Sequence, residues 1–517
     1  MGIVGKRAAS SIFYGVTGSI ASTLVAFAGS VFLARLLGPN YYGLVYALVA
    51  LPQSLVGLVD LGLSGIIVRY GSRNEWDTAL SAAFLRTTLV IVMTTAFLLL
   101  SRYIAYVFKR PYIIHYTLFV TLYFFAYSLA LMMEALVGAL GLFHVTNAMI
   151  VTRTTVRVSI AIVLVILGFG AISVIIGLII GYSLEASVLA SIAIYKLRQR
   201  IIQLIRDTKR LSRGIREVIA KMMPLIANVV VGSIVSPVIS TLQIRYSNNE
   251  LLGNFNVSSN IAAILDRIAN TVSGGVTYGI TASKDPDTIN KSFIKGSMYS
   301  ILIIGFFSIG AIVFANKLTA VLYGSAYKYA YLMLMLQSVT LLGAVFGQNA
   351  SFLWAVGDTR LIGLLGVINA PVSLGAAVIL IMEFGGVWGS IYTFIFGSYF
   401  GNILSLILTY KVHKALPDLK SNLRALVPSL LSGAIIYPFT LFLTPKISLL
   451  LAIPYTLLFA LFTALFLRTK EINELIRVAA ADRMLSLILR KPLLLILRIN
   501  TYLYNMDWLQ ERLRYDE

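Results

Sequence analysis

Long apolar runs, separated by short polar or glycine-bearing gaps, dominate the chain from residue 8 to residue 467. They fall at 8–37, 42–68, 79–101, 112–140, 147–168 and 170–195, then at 221–245, 252–280, 293–315, 328–352, 360–383 and 385–411. Two final runs lie at 425–443 and 447–467. An α-helix needs roughly 20 apolar residues to cross a hydrocarbon layer ~30 Å thick. The pattern therefore predicts an all-α integral membrane protein with about fourteen transmembrane helices, grouped six, six and two. The first run follows Lys6 and Arg7 and continues through Gly29 and Ser30 to Leu37. That is too long for a signal-peptide core, so it reads as a retained first helix.

Composition agrees. Of 517 residues, 58% are hydrophobic and 12% charged, where a soluble domain carries about 25% charged residues. So few charges cannot cover a solvated surface. The net charge of +21 does not indicate nucleic acid, because the basic residues sit mostly in the gaps between apolar runs, where positive-inside topology places them. With no cysteine, disulfides, thiolate metal sites and cysteine nucleophiles are excluded. A cytoplasmic N-terminus puts about 32 of the 42 basic residues inside and about seven outside, the latter including Arg35, Lys109 and Arg110. Both termini are then expected in the cytoplasm and the protein in the cell membrane.

The gaps suggest an order of parts: an N-lobe over 1–195, a basic cytoplasmic linker over 196–220, a C-lobe over 221–411, two further helices over 412–468, and a tail over 469–517. In the tail, Leu475, Val478, Leu485, Ile488 and Leu489 recur at near-helical spacing beside Arg477, Arg483, Arg490 and Lys491. Two readings fit, a helix on the anionic lipids of the inner leaflet or a helix packed beneath the bundle.

The two six-helix blocks look related. Gly141, Gly170 and Gly181 match Gly357, Gly386 and Gly397 at an offset of 216, and Arg35 and Gly43 match Arg245 and Gly253 at an offset of 210. An even number of spans per block gives both copies one orientation, so they would be parallel repeats about an axis along the membrane normal.

Charges within apolar runs single out candidate site residues. A charge in a span costs at least about 2.5–3.5 kcal/mol on insertion scales and usually faces a cavity or a partner. At 1.5 Å per residue, Asp60 lies about 27 Å along the second run, and Arg69 ends it. Arg86 sits about 10 Å into the third. Glu134 is near the inner end of the fourth, Arg153 and Arg157 lie one turn apart on the fifth, and Asp266 and Arg267 fall on the eighth. Guanidinium groups bind phosphate and pyrophosphate bidentately, so Arg86, Arg153, Arg157, Arg267 and Arg69 are candidate substrate contacts. Asp60, Asp266 and Glu134 are candidate coupling or charge-pairing groups. The other reading of the shallower arginines is that they snorkel to the interface.

Pro52, Pro237, Pro371 and Pro438 fall inside runs, and Ser273-Gly274-Gly275 is expected to interrupt the eighth. No GxxxxGK[ST] element is present, and His115, His144 and His413 are scattered, so neither ATP hydrolysis nor a histidine metal set is indicated. No cofactor is called for, and coupling to H+ or Na+ stays open.

Residues 32–72, "FLARLLGPNYYGLVYALVALPQSLVGLVDLGLSGIIVRYGS", resemble the N-terminal signature of the polysaccharide transporter, or Wzx-type flippase, family of the MOP superfamily. Residues 355–390, opening on "AVGDTRLIG", resemble its Gly-Asp-Thr-Arg-like turn. The resemblance implies a MATE-like fold of two six-helix lobes plus two helices. It implies a transporter, not an enzyme, that moves a lipid-linked oligosaccharide between leaflets, with glycan polymerase or transferase machinery as further partners. Cation-coupled MATE-type export of small molecules is the alternative. By the same carry-over Arg35, Gly43, Asp358 and Arg360 are gate or family-motif residues.

Overall fold

The computed structural model describes residues 3–281, 285–467, 471–473, 494 and 496–501, with side chains from residue 18 onward except 223–232. Most of the tail reading thus lies outside the described residues. Helix accounts for 90% of the structure, with no strand among the described residues. In chain order the helices are α1 (Ile3–Asp60), α2 (Leu63–Gly71), α3 (Trp76–Leu99), α4 (Ser101–Val107), α5 (Thr117–Ala139), α6 (Phe143–Ile166), α7 (Ile172–Arg206), α8 (Thr208–Arg245) and α9 (Asn249–Thr281). They continue as α10 (Pro286–Tyr323), α11 (Ala330–Leu341), α12 (Asn349–Val356), α13 (Thr359–Phe384), α14 (Gly386–His413), α15 (Leu419–Phe442), α16 (Pro445–Leu450) and α17 (Ala452–Phe466).

Among the described residues, ten helices are long and apolar enough to cross a membrane, or eleven if the bent pair 330–346 and 349–356 forms one span. This falls short of the fourteen apolar runs. α1 counts once although Gly38, at φ 70°, divides it where the first gap falls. α8 and α9 are not among the ten.

Pro52, Pro371 and Pro438, expected inside spans, lie inside helices, whereas the expected glycine interruption does not occur: α9 runs unbroken through Ser273-Gly274-Gly275. Glycine within a helix only weakens it; a break needs a left-handed residue that the surroundings hold. Such a break follows Asp60, where Leu61 (φ 44°) and Gly62 (φ 82°) end α1 and start α2. The second apolar run is therefore two helices.

The chain packs as two compact units, the first comprising residues 1–260, 323–329 and 366–394, the second 261–322, 330–365 and 395 onward. The first unit buries Leu63, Ile67, Ala79, Met132, Leu197 and Val218 in one cluster shared by α2, α3, α5, α7 and α8. In the second, Ile309, Val313 and Phe314 of α10 pack with Ile436 of α15 and Tyr455 of α17. α7 is 35 residues long, about 52 Å at 1.5 Å per residue, well beyond a ~30 Å apolar layer. Residues 196–220 are helical on both sides of Asp207, whose carboxylate accepts the Arg210 N–H at 3.0 Å and caps α8. Arg210 pairs with Asp77 at 2.5 Å and the Arg200 guanidinium lies 5.6 Å from the Trp76 ring centre, which docks this corner on the first turn of α3.

The 210-residue offset has a structural counterpart. A Cβ at Gly43 would overlap the Asn249 carbonyl, and a Cβ at Gly253 would overlap the Pro39 carbonyl. Residues 39 and 249 stand at the same offset as 43 and 253, so the contact is reciprocal, as a two-fold relation between repeats requires.

Candidate functional site

Two ionic groups form inside the first unit. In α3, Ala79, Ser81, Ala82 and Ala83 are buried small residues that admit close neighbours, and Arg86, one turn on, is 1% exposed. Its guanidinium meets Asp60 at 3.1 Å and also donates to the Ser64 hydroxyl. Asp60 accepts the Ser64 N–H at 3.2 Å and the Ser64 hydroxyl at 2.6 Å. The Asp60-Leu61-Gly62-Leu63-Ser64 element is thus a helix break whose carboxylate holds both the new helix start and the buried arginine.

The second group lies among α5, α6 and α7. Gly177, Gly181 and Glu185 recur every four residues and share one face of α7. A Cβ at Gly177 would stand 2.5 Å from the Arg157 carbonyl, and one at Gly181 3.0 Å from the Arg153 carbonyl, so the glycines let α7 lie directly on the backbone of α6. That approach brings Glu185, fully buried, to 2.5 Å from the Arg153 guanidinium. Glu134 of α5 reaches the same nitrogen at 2.8 Å, and the Tyr182 ring centre lies 4.6 Å from the guanidinium carbon. Tyr127 packs on Tyr182 at 4.8 Å and on Tyr123 at 5.7 Å. Gln53 of α1 donates to the Tyr123 hydroxyl at 3.0 Å.

Arg157 differs from both paired arginines. It is half-buried, lies within electrostatic reach of the Tyr42, Tyr123 and Tyr127 hydroxyls, and has no hydrogen bond or ion pair among the described residues. Beside Arg86 and Arg153 it is, among the described residues, the arginine whose guanidinium is not matched by a carboxylate.

The remaining sequence candidates lie elsewhere. Arg69 is exposed at the end of α2, its guanidinium 5.9 Å from the Tyr70 ring centre. Asp266 and Arg267 are exposed on α9, in the second unit. Arg35 is exposed near Gly38, and Arg360 is exposed at the start of α13. Asp358 caps α13, accepting the Leu361 N–H at 3.1 Å, and meets the His413 ring nitrogen at 3.0 Å. Glu185 was not singled out from the sequence. Its signals were its place as the sole carboxylate between Glu134 and Asp207 and its register with Gly177 and Gly181.

The Leu361 N–H and the adjacent His413 hold the Asp358 carboxyl below the usual aspartate range. A depressed folded-state value gives stability that is present above the ordinary value near about 3.9 and is lost as pH falls through the folded value. Asp358→Ala is expected to cost about 0.5–2 kcal/mol as a lost cap. Thermal melts at neutral pH read the loss, and the gap between variant and parent should close on acidification.

A family model described as polysaccharide biosynthesis protein matches residues 32–332, more than half of the chain. The chain belongs to this family. The match opens at Phe32, where the first quoted motif begins. No curated protein matches in sequence. Among solved structures, the chain is similar to the lipid II flippase MurJ in an inward closed conformation, with a TM-score of 0.71 at 15% identity over 88% of this chain and 98% of that one. It is also similar to a multidrug resistance MATE family transporter of the MOP superfamily in an inward-facing conformation (TM-score 0.54, 14% identity, 76% and 96% covered). A eukaryotic MATE transporter gives a TM-score of 0.53 at 16% identity, with 81% and 99% covered. These likenesses show the fold, which the chain shares with the MurJ and MATE structures, and the long apolar helices make it a multi-pass membrane protein.

Proposed function

We propose that the chain moves a lipid-linked oligosaccharide, carried on a polyprenyl phosphate or pyrophosphate, from the cytoplasmic to the outer leaflet by alternating access. The observation that carries this reading is Arg157, a half-buried guanidinium without an ion-pair partner among the described residues, one turn from the carboxylate-matched Arg153. An arginine held in an apolar layer without its own counter-ion is suited to an anionic head group. Family membership and the MurJ-like fold support the same class of cargo. On this reading both termini are cytoplasmic, the linker corner faces the anionic inner leaflet, and glycan-assembling enzymes supply and consume the cargo.

The test is flipping of a fluorescent lipid-linked oligosaccharide by the full chain in proteoliposomes. Arg157→Gln should slow it about tenfold or more, since a hydrogen bond to a charged group is worth about 1.5–3 kcal/mol, while the melting temperature stays near that of the parent. Unchanged flipping would remove Arg157 from head-group binding.

One observation favours the alternative of a cation-coupled exporter. Glu134 and Glu185 stand together beside Tyr123, Tyr127 and Tyr182, an aromatic and carboxylate setting that suits an organic cation or a coupling H+ or Na+. Export of a fluorescent organic cation without flipping of the lipid-linked sugar would decide for it.

A further inference from the structure

Arg110 is 7% exposed, yet no carboxylate lies within ion-pair distance of it among the described residues. Its guanidinium donates to the Tyr112 hydroxyl at 2.6 Å, to the Asn249 side-chain oxygen and to the Ser247 carbonyl. Tyr112 also donates to Asn249 at 3.2 Å, and Arg245 donates to the Val107 carbonyl at 2.6 Å. The 107–112 turn is therefore clasped to the α8–α9 turn by two arginines and by neutral acceptors alone. Phe108 and Ile113, on either side of Arg110, line one small cavity together with Leu48 and Leu51 of α1 and Phe97 of α3. Lys109, at φ 54°, is a non-glycine residue in the left-handed region, a conformation that costs of order 1 kcal/mol and is kept where the surroundings impose it.

A buried charge on neutral acceptors is expensive: desolvating an ion costs several kcal/mol, and neutral hydrogen bonds return less than an opposite charge would. The three donations of the Arg110 guanidinium hold the turns together, yet they leave its charge without a counter-ion among the described residues. Beside this clasp, α1 and α9 approach backbone to backbone at Gly43 and Gly253, flanked by Tyr46 edge-on to Phe255 and by Asn260 donating to the Tyr42 hydroxyl at 3.0 Å, so opening would have to release these side chains together with the clasp.

We infer that Arg110 is an exit-side phosphate or pyrophosphate site, masked in this conformation by its bonds to Ser247 and Asn249 and exposed when that clasp opens. Arg157 takes the anionic head group on the entry side; Arg110 receives it where the cargo leaves. The assignment of sides rests on the flippase reading above, whereas the clasp does not.

The cysteine-free chain permits a direct test in right-side-out vesicles. Leu252, fully buried beside the clasp on α9, is replaced by cysteine, and its labelling by a membrane-impermeant maleimide reports exit-side opening. Arg110→Gln should raise the labelling rate about tenfold, the equivalent of about 1.4 kcal/mol. Inorganic pyrophosphate, binding the open form, should raise labelling in the parent by population shift but not in Arg110→Gln. Asn249→Ala, which keeps the arginine and removes one acceptor, should label faster and still respond to pyrophosphate; it carries the test if Arg110→Gln does not fold. Unchanged labelling in both variants would overturn the clasp. A pyrophosphate response that is absent from the parent, or equal in Arg110→Gln, would overturn the anion site. A parent that opens with pyrophosphate through Arg110 yet flips no lipid-linked sugar would overturn the flippase reading and leave the clasp standing.

Discussion

Replacing Arg153 by alanine is expected to lower stability by about 3–5 kcal/mol, the cost of leaving buried charge unpaired. Glu185 is fully buried and Glu134 largely so, and both meet the same guanidinium nitrogen, at 2.5 and 2.8 Å. Without Arg153 two carboxylates would face each other in an apolar layer. The variant should therefore unfold at markedly lower temperature in detergent, and should be largely rescued by adding Glu134→Gln and Glu185→Gln, which remove both charges at similar volume. An Arg153→Ala chain that melts with the parent would show that the three groups are not an interdependent set. The contrast with Arg157 is the informative part: one arginine is matched and bridges three helices, while the other, one turn away, has no matching carboxylate among the described residues.

Gly43→Ala is expected to have the second large effect. The added methyl would overlap the Asn249 carbonyl and stand 2.7 Å from the Gly253 nitrogen. Both neighbours are backbone, so no side-chain rotation relieves the overlap and α1 and α9 must separate. Overpacking of this kind costs about 1–3 kcal/mol, sometimes more. Gly253→Ala should behave alike, because the contact with Pro39 is reciprocal. Both variants should speed labelling of Leu252→Cys, since they push apart the backbones that close beside the Arg110 clasp. Gly65→Ala, with nothing within 4 Å of the added carbon, is the control and should be neutral or slightly stabilising. Parent-like labelling in Gly43→Ala would mean that this glycine contact does not help close the exit side.

Much of the molecule was legible from local pattern. Apolar runs of spanning length are helices, because a segment surrounded by lipid must satisfy its own backbone hydrogen bonds. The paired offsets across the chain have a counterpart at Gly43 and Gly253, and deep charges marked the ionic centre at Asp60, Glu134, Arg86, Arg153 and Arg157. Other features were not legible. Ser273-Gly274-Gly275 looked like a break and is intact helix, while the break after Asp60 sits inside an apolar run. Glycine only permits a left-handed residue; whether the chain takes it depends on what holds the ends, here Asp60 bound to Ser64 and Arg86.

The sequence alone determined that this is a helical membrane protein and which residues carry charge into its apolar runs. These follow from hydropathy, periodicity and the cost of a buried ion, all properties of a single segment. Only the tertiary structure decided which charge meets which. It committed Arg86 to Asp60, brought Glu185 onto Arg153 through the face shared with Gly177 and Gly181, left Arg157 without a carboxylate among the described residues, and clasped Arg110 to neutral acceptors. Ion pairing acts over a few ångströms between helices distant in sequence, so it depends on how each helix is rotated and how closely it approaches its neighbours. Those two quantities do not appear in the pattern of any one helix.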